Sequence, residues 1–162
     1  MRLLFLLTLL ISCSSIQRSP TSINQESGCK HTPTSFHCVK VVEVYDGDTI
    51  FIDLPDQHPL FGKRMGVRIS GIDTPEIKTK DLCEKARAVE AKQLVEELIN
   101  DANRIDIIEV ERDKYFRILG SVLVDGKAIS EVLLDKKLAY PYFGEAKEVR
   151  NWCEVEQESL KN

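Results

Sequence analysis

The stretch VEVYDGDTIFIDL, Val42 to Leu54, sets acidic residues between two segments with the character of β-strands. Apolar residues alternate with others from Ile50 to Leu54, which is the pattern of a half-buried strand. Asp46 and Gly47 are typical of a tight hairpin turn, because both residue types tolerate positive φ. The turn does not require a second acid. We therefore interpret Asp48, where the next strand begins, as a candidate ligand of a metal whose other ligands lie elsewhere in the chain.

Further strands and helices follow from the periodicity of the apolar residues. The predicted strands are 39–45, 50–54, 65–69, 105–110 and 118–124, and the predicted helices are 81–100, 130–137 and 145–160. The helix 81–100 has Asp81 as its expected N-cap. Its expected apolar stripe comprises Leu82, Ala86, Val89, Leu94, Leu98 and Ile99. These elements predict an α+β fold that is mainly β, a five-stranded OB-fold barrel with a helix inserted after strand 3 and two C-terminal helices.

The N-terminal residues have a different composition from the rest of the chain. Residues 1–12, MRLLFLLTLLIS, carry one Arg and a short apolar block, as a signal peptide does. The ending Leu-Ile-Ser-Cys resembles a bacterial lipobox, which predicts a lipidated N-terminus at Cys13; ordinary cleavage near Ser14 and Ser15 is the alternative. Residues 13–28 then form a flexible tether, and 29–162 form the folded domain. The predicted location is the bacterial cell envelope, through a lipid anchor, or the secreted fraction.

An exported chain meets an oxidising compartment, so its remaining cysteines are expected to form disulfides. The four candidates are Cys29, Cys38, Cys83 and Cys153. Three pairings are possible, and the favoured one joins Cys29 to Cys38 and Cys83 to Cys153. The run CKHTPTSFHC also contains His31 and His37, but its spacing does not match a zinc finger.

The formal net charge is −4, and loss of residues 1–12 removes one Arg, which gives −5. An acidic chain is not suited to coating nucleic acid without specificity, because phosphate binding favours a basic surface. Net charge does not exclude a local cationic cleft.

Four polar clusters lie at the ends of the predicted elements. They are Asp46–Thr49, then Arg68 with 73–76 (DTPE), then 112–117 (RDKYFR), and 138–142 (LAYPY). Each has an ordinary explanation by itself: Asp73 or Thr74 could cap a helix, and Arg117 could pair across strands. Together, neighbouring carboxylates and two arginines are the groups that metal-assisted phosphodiester hydrolysis requires.

The motifs DGDT, R-x4-DTPE and DKYxR, in this order, resemble the staphylococcal nuclease (thermonuclease) family over roughly 39–152. The resemblance implies calcium-dependent hydrolysis of DNA, with RNA as a further candidate substrate, to 3′-phosphate products by a monomeric enzyme. One departure stands out, because the family has Gly before the second arginine and this chain has Phe116. The alternative hypothesis is a non-catalytic OB-fold module that binds nucleic acid or protein. A third is a structural lipoprotein that binds calcium for stability alone.

The resemblance also implies a role for each matching residue. Calcium would be bound by Asp48, Asp73 and the backbone carbonyl of Thr74. Catalysis would use Arg68 and Arg117 on the phosphate and Glu76 on the attacking water. The candidate substrate-binding residues are Lys114, Tyr115, Tyr140 and Tyr142. Hard oxygen ligands suit Ca²⁺, and the planar guanidinium matches phosphate oxygens.

Overall fold

The computed structural model describes residues 28–54, 57–147 and 150–152. The predicted signal peptide, Cys13, nearly all of the predicted tether and Cys153 lie outside the described residues. Within the described ranges, no helix combines the length and the apolar character that a bilayer crossing would need.

Nine strands and three helices are present in the described residues. The strands are β1 (Ser35–Phe36), β2 (Lys40–Val44), β3 (Thr49–Asp53), β4 (Met65–Ile69), β5 (Ile72–Asp73), β6 (Ile105–Arg112), β7 (Ile118–Val124), β8 (Lys127–Ala128) and β9 (Tyr140–Pro141). The helices are α1 (Pro59–Gly62), α2 (Leu82–Asn100) and α3 (Ile129–Asp135). The five longer strands correspond to the five predicted ones. The two-residue strands and α1 are too short to leave a periodic signal in the sequence.

The main sheet has the strand order β1-β6-β7-β4-β3-β2, with β8 paired to β7. All its pairings are antiparallel except that of β4 with β7, which is parallel. β5 and β9 form a separate two-stranded sheet. The fold is therefore α+β and mainly β, as predicted, and its order is compatible with an OB-like fold. The predicted closed five-stranded barrel is not confirmed, because the described sheet is open.

The helix α2 begins after Asp81, whose side chain accepts a 2.9 Å hydrogen bond from the backbone N–H of Glu84, as predicted for an N-cap. Its predicted apolar stripe was partly wrong. The fully buried positions are Ala88, Ala91 and Val95. Of the predicted stripe, Leu82, Ala86 and Val89 are exposed, whereas Leu94, Leu98 and Ile99 are partly buried against the core. Small side chains let this helix approach the sheet closely, so hydrophobicity alone misplaces its buried face.

The two predicted C-terminal helices had different outcomes. The first is α3, which packs Ile129 and Leu133 into the core. The second was expected from residue 145, but the described residues at 145–147 and 150–152 are not helical. Gly144 lies just before this segment, with φ of +103°. The rest of that predicted helix lies outside the described residues.

Three of the described cysteines are disulfide-bonded. Cys29 and Cys38 form a disulfide, which is the first half of the favoured pairing. Cys83 is also disulfide-bonded. Its predicted partner, Cys153, is outside the described residues.

Candidate active site

Arg68 lies between two buried carboxylates. The antiparallel register of β3 and β4 sets Thr49 opposite Arg68, which brings Asp48 beside the guanidinium. Nη2 of Arg68 is 3.0 Å from Oδ2 of Asp48 and 2.9 Å from Oδ1 of Asp73. The same side chain also donates to the backbone carbonyls of Ile69 and Ile72, both at 2.8 Å. These bonds fix the position of a buried cation and compensate for its loss of water.

The DGDT turn packs tightly against Thr74. Oδ2 of Asp48 accepts hydrogen bonds from the backbone N–H and the hydroxyl of Thr74, at 3.1 and 2.9 Å. Asp46 and Gly47 do turn the chain between the antiparallel strands β2 and β3, as predicted, but neither has a positive φ. Gly47 is required for space instead. A Cβ there would lie 2.9 Å from Cβ of Ala91 and 3.0 Å from Cγ2 of Thr74.

Tyr140 lies behind Asp73 and does not line the cleft described below. The pairing of β5 with β9 sets the two residues opposite each other, and the Tyr140 hydroxyl donates a 2.7 Å hydrogen bond to Oδ2 of Asp73. Its ring is buried, with Trp152 at 5.9 Å and the Arg150 guanidinium at 4.0 Å from its centroid. Burial, together with the Asp73 carboxylate, raises the pKa of Tyr140 to about 12. The phenol therefore remains protonated and positions Asp73.

Glu76 is exposed at the edge of the site and contacts Lys147. Nζ of Lys147 is 3.0 Å from Oε1 of Glu76 and 3.0 Å from Oδ1 of Asp73. Partial burial lowers the pKa of Lys147, but the hydrogen bonds to the two carboxylates outweigh it, so the net pKa is raised. The ammonium is therefore charged and bridges the two acids.

Arg117 is held by Asp113 at the tip of the β6–β7 hairpin. Oδ2 of Asp113 accepts a 2.7 Å hydrogen bond from Nε of Arg117, while Oδ1 accepts from the backbone N–H groups of Tyr115 and Arg117. Desolvation acts to raise the pKa of Asp113, but these bonds outweigh it and lower the pKa. A charged Asp113 thus fixes both the turn and the arginine that follows it.

Phe116 occupies the left-handed position of this turn, with φ of +63°. Glycine adopts this backbone conformation without strain, whereas a bulky side chain adopts it rarely. The ring is 76% exposed and is not part of the cleft wall. Phe116 therefore does not narrow the cleft, and Arg117 still lines the cleft wall.

These elements surround one cleft of about 800 Å³. The predicted site residues that line it are Asp48, Arg68, Asp73, Glu76, Lys114, Tyr115, Arg117 and Tyr142. Thr74 lies directly behind Asp48 and is buried. Eight of the ten predicted catalytic, metal and substrate residues thus meet in one concave surface, and Thr74 and Tyr140 support it from behind.

Three carboxyl groups, those of Asp46, Asp48 and Asp73, are buried close to the buried Arg68. Burial and repulsion by the Asp48 carboxylate raise the pKa of Asp46 to about 7. Among the described residues, no three His, Cys, Asp or Glu side chains converge into a metal site by themselves. Two buried carboxylates with backbone oxygens nearby are nevertheless the hard donors that Ca²⁺ prefers, with water completing its shell. The donor chemistry therefore fits a calcium ion.

Two contributors to the site were not assigned from the sequence. Lys147 is a single lysine in a segment that was expected to be helical, and nothing in its neighbours indicates a site. Asp113 was part of the RDKYFR cluster without a role. The spacing of Asp and Arg four residues apart around a hairpin tip was the one available signal for it.

Comparison with known proteins identifies the family of this chain. The family model described as staphylococcal nuclease homologue matches residues 66–161, more than half of the chain. The endonuclease YncB of Bacillus subtilis (strain 168) is 32% identical over 142 residues, which cover 83% of this chain and 64% of that protein. The prophage SPbeta-derived endonuclease YokF of the same strain is 34% identical, over 70% of this chain and 38% of that protein. The thermonuclease of Staphylococcus hyicus is 31% identical, over 64% of this chain and 59% of that protein. The chain thus spans less than two thirds of the length of each of these relatives.

Proposed function

The chain belongs to the staphylococcal nuclease homologue family, and on that premise we propose that it is a calcium-dependent nuclease. It hydrolyses the 5′ P–O bond of DNA to leave 3′-phosphate and 5′-hydroxyl ends, and RNA is its further candidate substrate. The relatives named above as endonucleases and a thermonuclease support this class of activity.

The observation that carries the proposal is the shared environment of Arg68. One buried guanidinium touches both Asp48 and Asp73 within a cleft that also presents Glu76 and Arg117. A buried cluster of this kind costs stability unless its charges are paired well, and here they are paired within a concave surface open to a ligand. A purely structural ion cluster does not require the exposed Glu76 or a second arginine on the cleft wall.

Calcium would be held by the carboxylates of Asp48 and Asp73 and by the backbone carbonyl of Thr74. When bound, it neutralises and polarises the scissile phosphate as a Lewis acid. The hydrogen bonds from Thr74 and Tyr140 orient these two carboxylates. Such supporting hydrogen bonds tune a metal site as its direct ligands do.

The protein side chains bind the phosphate and accept the proton of the attacking water. Arg68 and Arg117 offer planar N–H donors to the phosphate oxygens and remain charged throughout. Their donors stabilise the negative charge that builds up during in-line attack. Glu76 accepts the proton of the attacking water. In the structure, Oε1 of Glu76 contacts the ammonium of Lys147.

The substrate lies along the wall formed by Lys114, Tyr115 and Tyr142. The ammonium of Lys114 is 5.2 Å from the centroid of Tyr115, so cation and ring are presented together. Backbone phosphates and bases of a single strand bind to this combination of groups. By the lipobox-like sequence at Cys13, we place the enzyme at the bacterial cell envelope through a lipid anchor, with a secreted form as the alternative.

The proposal is tested by incubating the full chain with single-stranded DNA, double-stranded DNA and RNA, in calcium and then in a calcium chelator. We expect cleavage in calcium alone, with product ends that a 3′-phosphatase converts to 3′-hydroxyl. Binding without cleavage by the folded, calcium-loaded chain would favour the non-catalytic OB-fold module. Calcium-dependent melting with neither binding nor cleavage would favour the structural lipoprotein.

A further inference from the structure

Phe116 combines a strained backbone with a solvent-exposed ring. Its φ of +63° is rare for a bulky side chain, and the other described non-glycine residues with positive φ include no aromatic residue. The ring is 76% exposed and belongs to no part of the described hydrophobic core. Neither folding nor packing therefore explains a phenylalanine here, since glycine would relieve the strain and expose less apolar surface.

An arginine lies beside the ring, in a hairpin that also carries Glu111 and Asp113. The guanidinium of Arg112 is 5.6 Å from the Phe116 centroid. The adjacent residues Tyr115 and Arg117 line the catalytic cleft, and the guanidinium of Arg117 lies 5.5 Å from the Tyr115 centroid. The hairpin tip thus presents two exposed rings, each beside an arginine, at the edge of the cleft.

We propose that Phe116 and Arg112 form a base-stacking site for a single-stranded nucleic acid, just outside the cleft. The inference rests on the proposed nuclease function and assigns a substrate preference to the same enzyme. A nucleobase stacks on the ring of Phe116, while the arginine attracts the adjacent phosphate. Duplex DNA keeps its bases paired and stacked, so this site favours single strands.

The position of the site argues for nucleic acid over a lipid surface. Phe116 directly precedes Arg117, the arginine assigned to the scissile phosphate, so a strand that leaves the cleft passes the hairpin tip. Exposed aromatic residues beside basic residues can also contact an anionic membrane. The experiment separates these two partners.

The test measures binding by the full chain in detergent, with Glu76→Gln as the background that prevents cleavage. Probes are a fluorescent single-stranded DNA of about twelve nucleotides and an abasic strand of the same length. Phe116→Gly is compared with Phe116→Trp and with Phe61→Ala, a control on an exposed ring of α1 outside the cleft. Melting temperatures are measured in parallel.

We expect Phe116→Gly to weaken binding of the DNA about tenfold and to leave binding of the abasic strand unchanged. The melting temperature should rise, because the left-handed backbone no longer carries a side chain. Phe116→Trp should retain the affinity, and Phe61→Ala should change nothing.

Equal DNA binding by Phe116→Gly and its parent would overturn the stacking site, as would a fall in melting temperature that accounts for the lost binding. Weaker pelleting with vesicles of anionic phosphatidylglycerol, with DNA binding intact, would assign the ring to a membrane. If the wild-type chain cleaves DNA while Phe116→Gly binds normally, this inference alone fails. If the wild-type chain does not cleave at all, the nuclease proposal fails.

Discussion

The ammonium of Lys147 lies 3.0 Å from Glu76 and 3.0 Å from Asp73, so one lysine bridges the assigned general base and an assigned calcium ligand. Lys147 places a positive charge beside Asp73, where a bound metal ion would place one. In the proposed metal site, calcium would compete with Lys147 for the Asp73 carboxylate.

We predict that Lys147→Ala binds calcium more tightly, by about two- to fivefold, in keeping with the modest free energy of a half-exposed ion pair. Isothermal titration calorimetry of the two proteins measures this directly. Lys136→Ala, at an exposed position outside the cleft, is the matched control. Unchanged or weaker calcium binding by Lys147→Ala would show that the lysine does not compete with the metal.

Replacement of Arg117 by lysine keeps the charge but removes the planar donors. We predict that Arg117→Lys lowers kcat by about 100-fold or more, with little change in the melting temperature, because the pair with Asp113 is partly exposed. Turnover assays and thermal melts check both halves. Normal turnover by this variant would contradict the role assigned to Arg117.

The Tyr140 hydroxyl is predicted to position Asp73 from behind the site. Tyr140→Phe leaves one oxygen of a buried carboxylate without its 2.7 Å donor, which should cost about 1–3 kcal/mol in the free energy of unfolding. We also expect weaker calcium binding, since the carboxylate loses its orientation. Chemical denaturation and calorimetry measure the two effects. Full stability with full calcium affinity would exclude this role.

Gly47 is predicted to be intolerant of any side chain. Its added Cβ would meet Ala91 and Thr74 at 2.9 and 3.0 Å, so Gly47→Ala must shift the turn or the helix. Overpacking of this kind costs about 1–3 kcal/mol. Denaturant melts of Gly47→Ala should show the loss of stability, and a melt that matches the wild type would mean that the turn moves freely.

The pH dependence of stability should reveal Asp106. Desolvation acts to raise its pKa, but hydrogen bonds from the Cys38 N–H and Arg104, with His37 nearby, outweigh it and lower the pKa from 3.8. Because the folded-state pKa is below the unfolded one, this stabilisation is present at neutral pH and is lost as pH falls through the folded-state pKa. Asp106→Asn should melt below the wild type at pH 7, and the difference should close as the solution is acidified. A difference that stays constant with pH would contradict the ionic origin.

The sequence predicted the parts of this site that short motifs encode. The alternation of apolar residues located β3 and β4, and the DGDT and R-x4-DTPE spacing selected Asp48, Arg68 and Asp73, which do meet. Lys147 was not predictable, because its contact depends on a non-helical return of the chain near residue 144. The close approach of α2 was missed for a related reason. The space beside Gly47 admits only a small side chain at Ala91. A hydrophobic pattern does not reveal this limit on size.

In the proposed mechanism, one cleft performs calcium-dependent hydrolysis with Glu76 as its base. This mechanism is tested by single-turnover cleavage of an end-labelled single-stranded DNA. The proteins compared are the wild type, Glu76→Gln and Glu97→Gln. Glu97 is an exposed glutamate of α2 outside the cleft and serves as the control. We expect rapid cleavage by the wild type and by Glu97→Gln in calcium, no cleavage in chelator, and a rate at least about 100-fold lower for Glu76→Gln. Equal rates for Glu76→Gln and the wild type would exclude Glu76 as the base. Cleavage that persists in the chelator would exclude the calcium dependence.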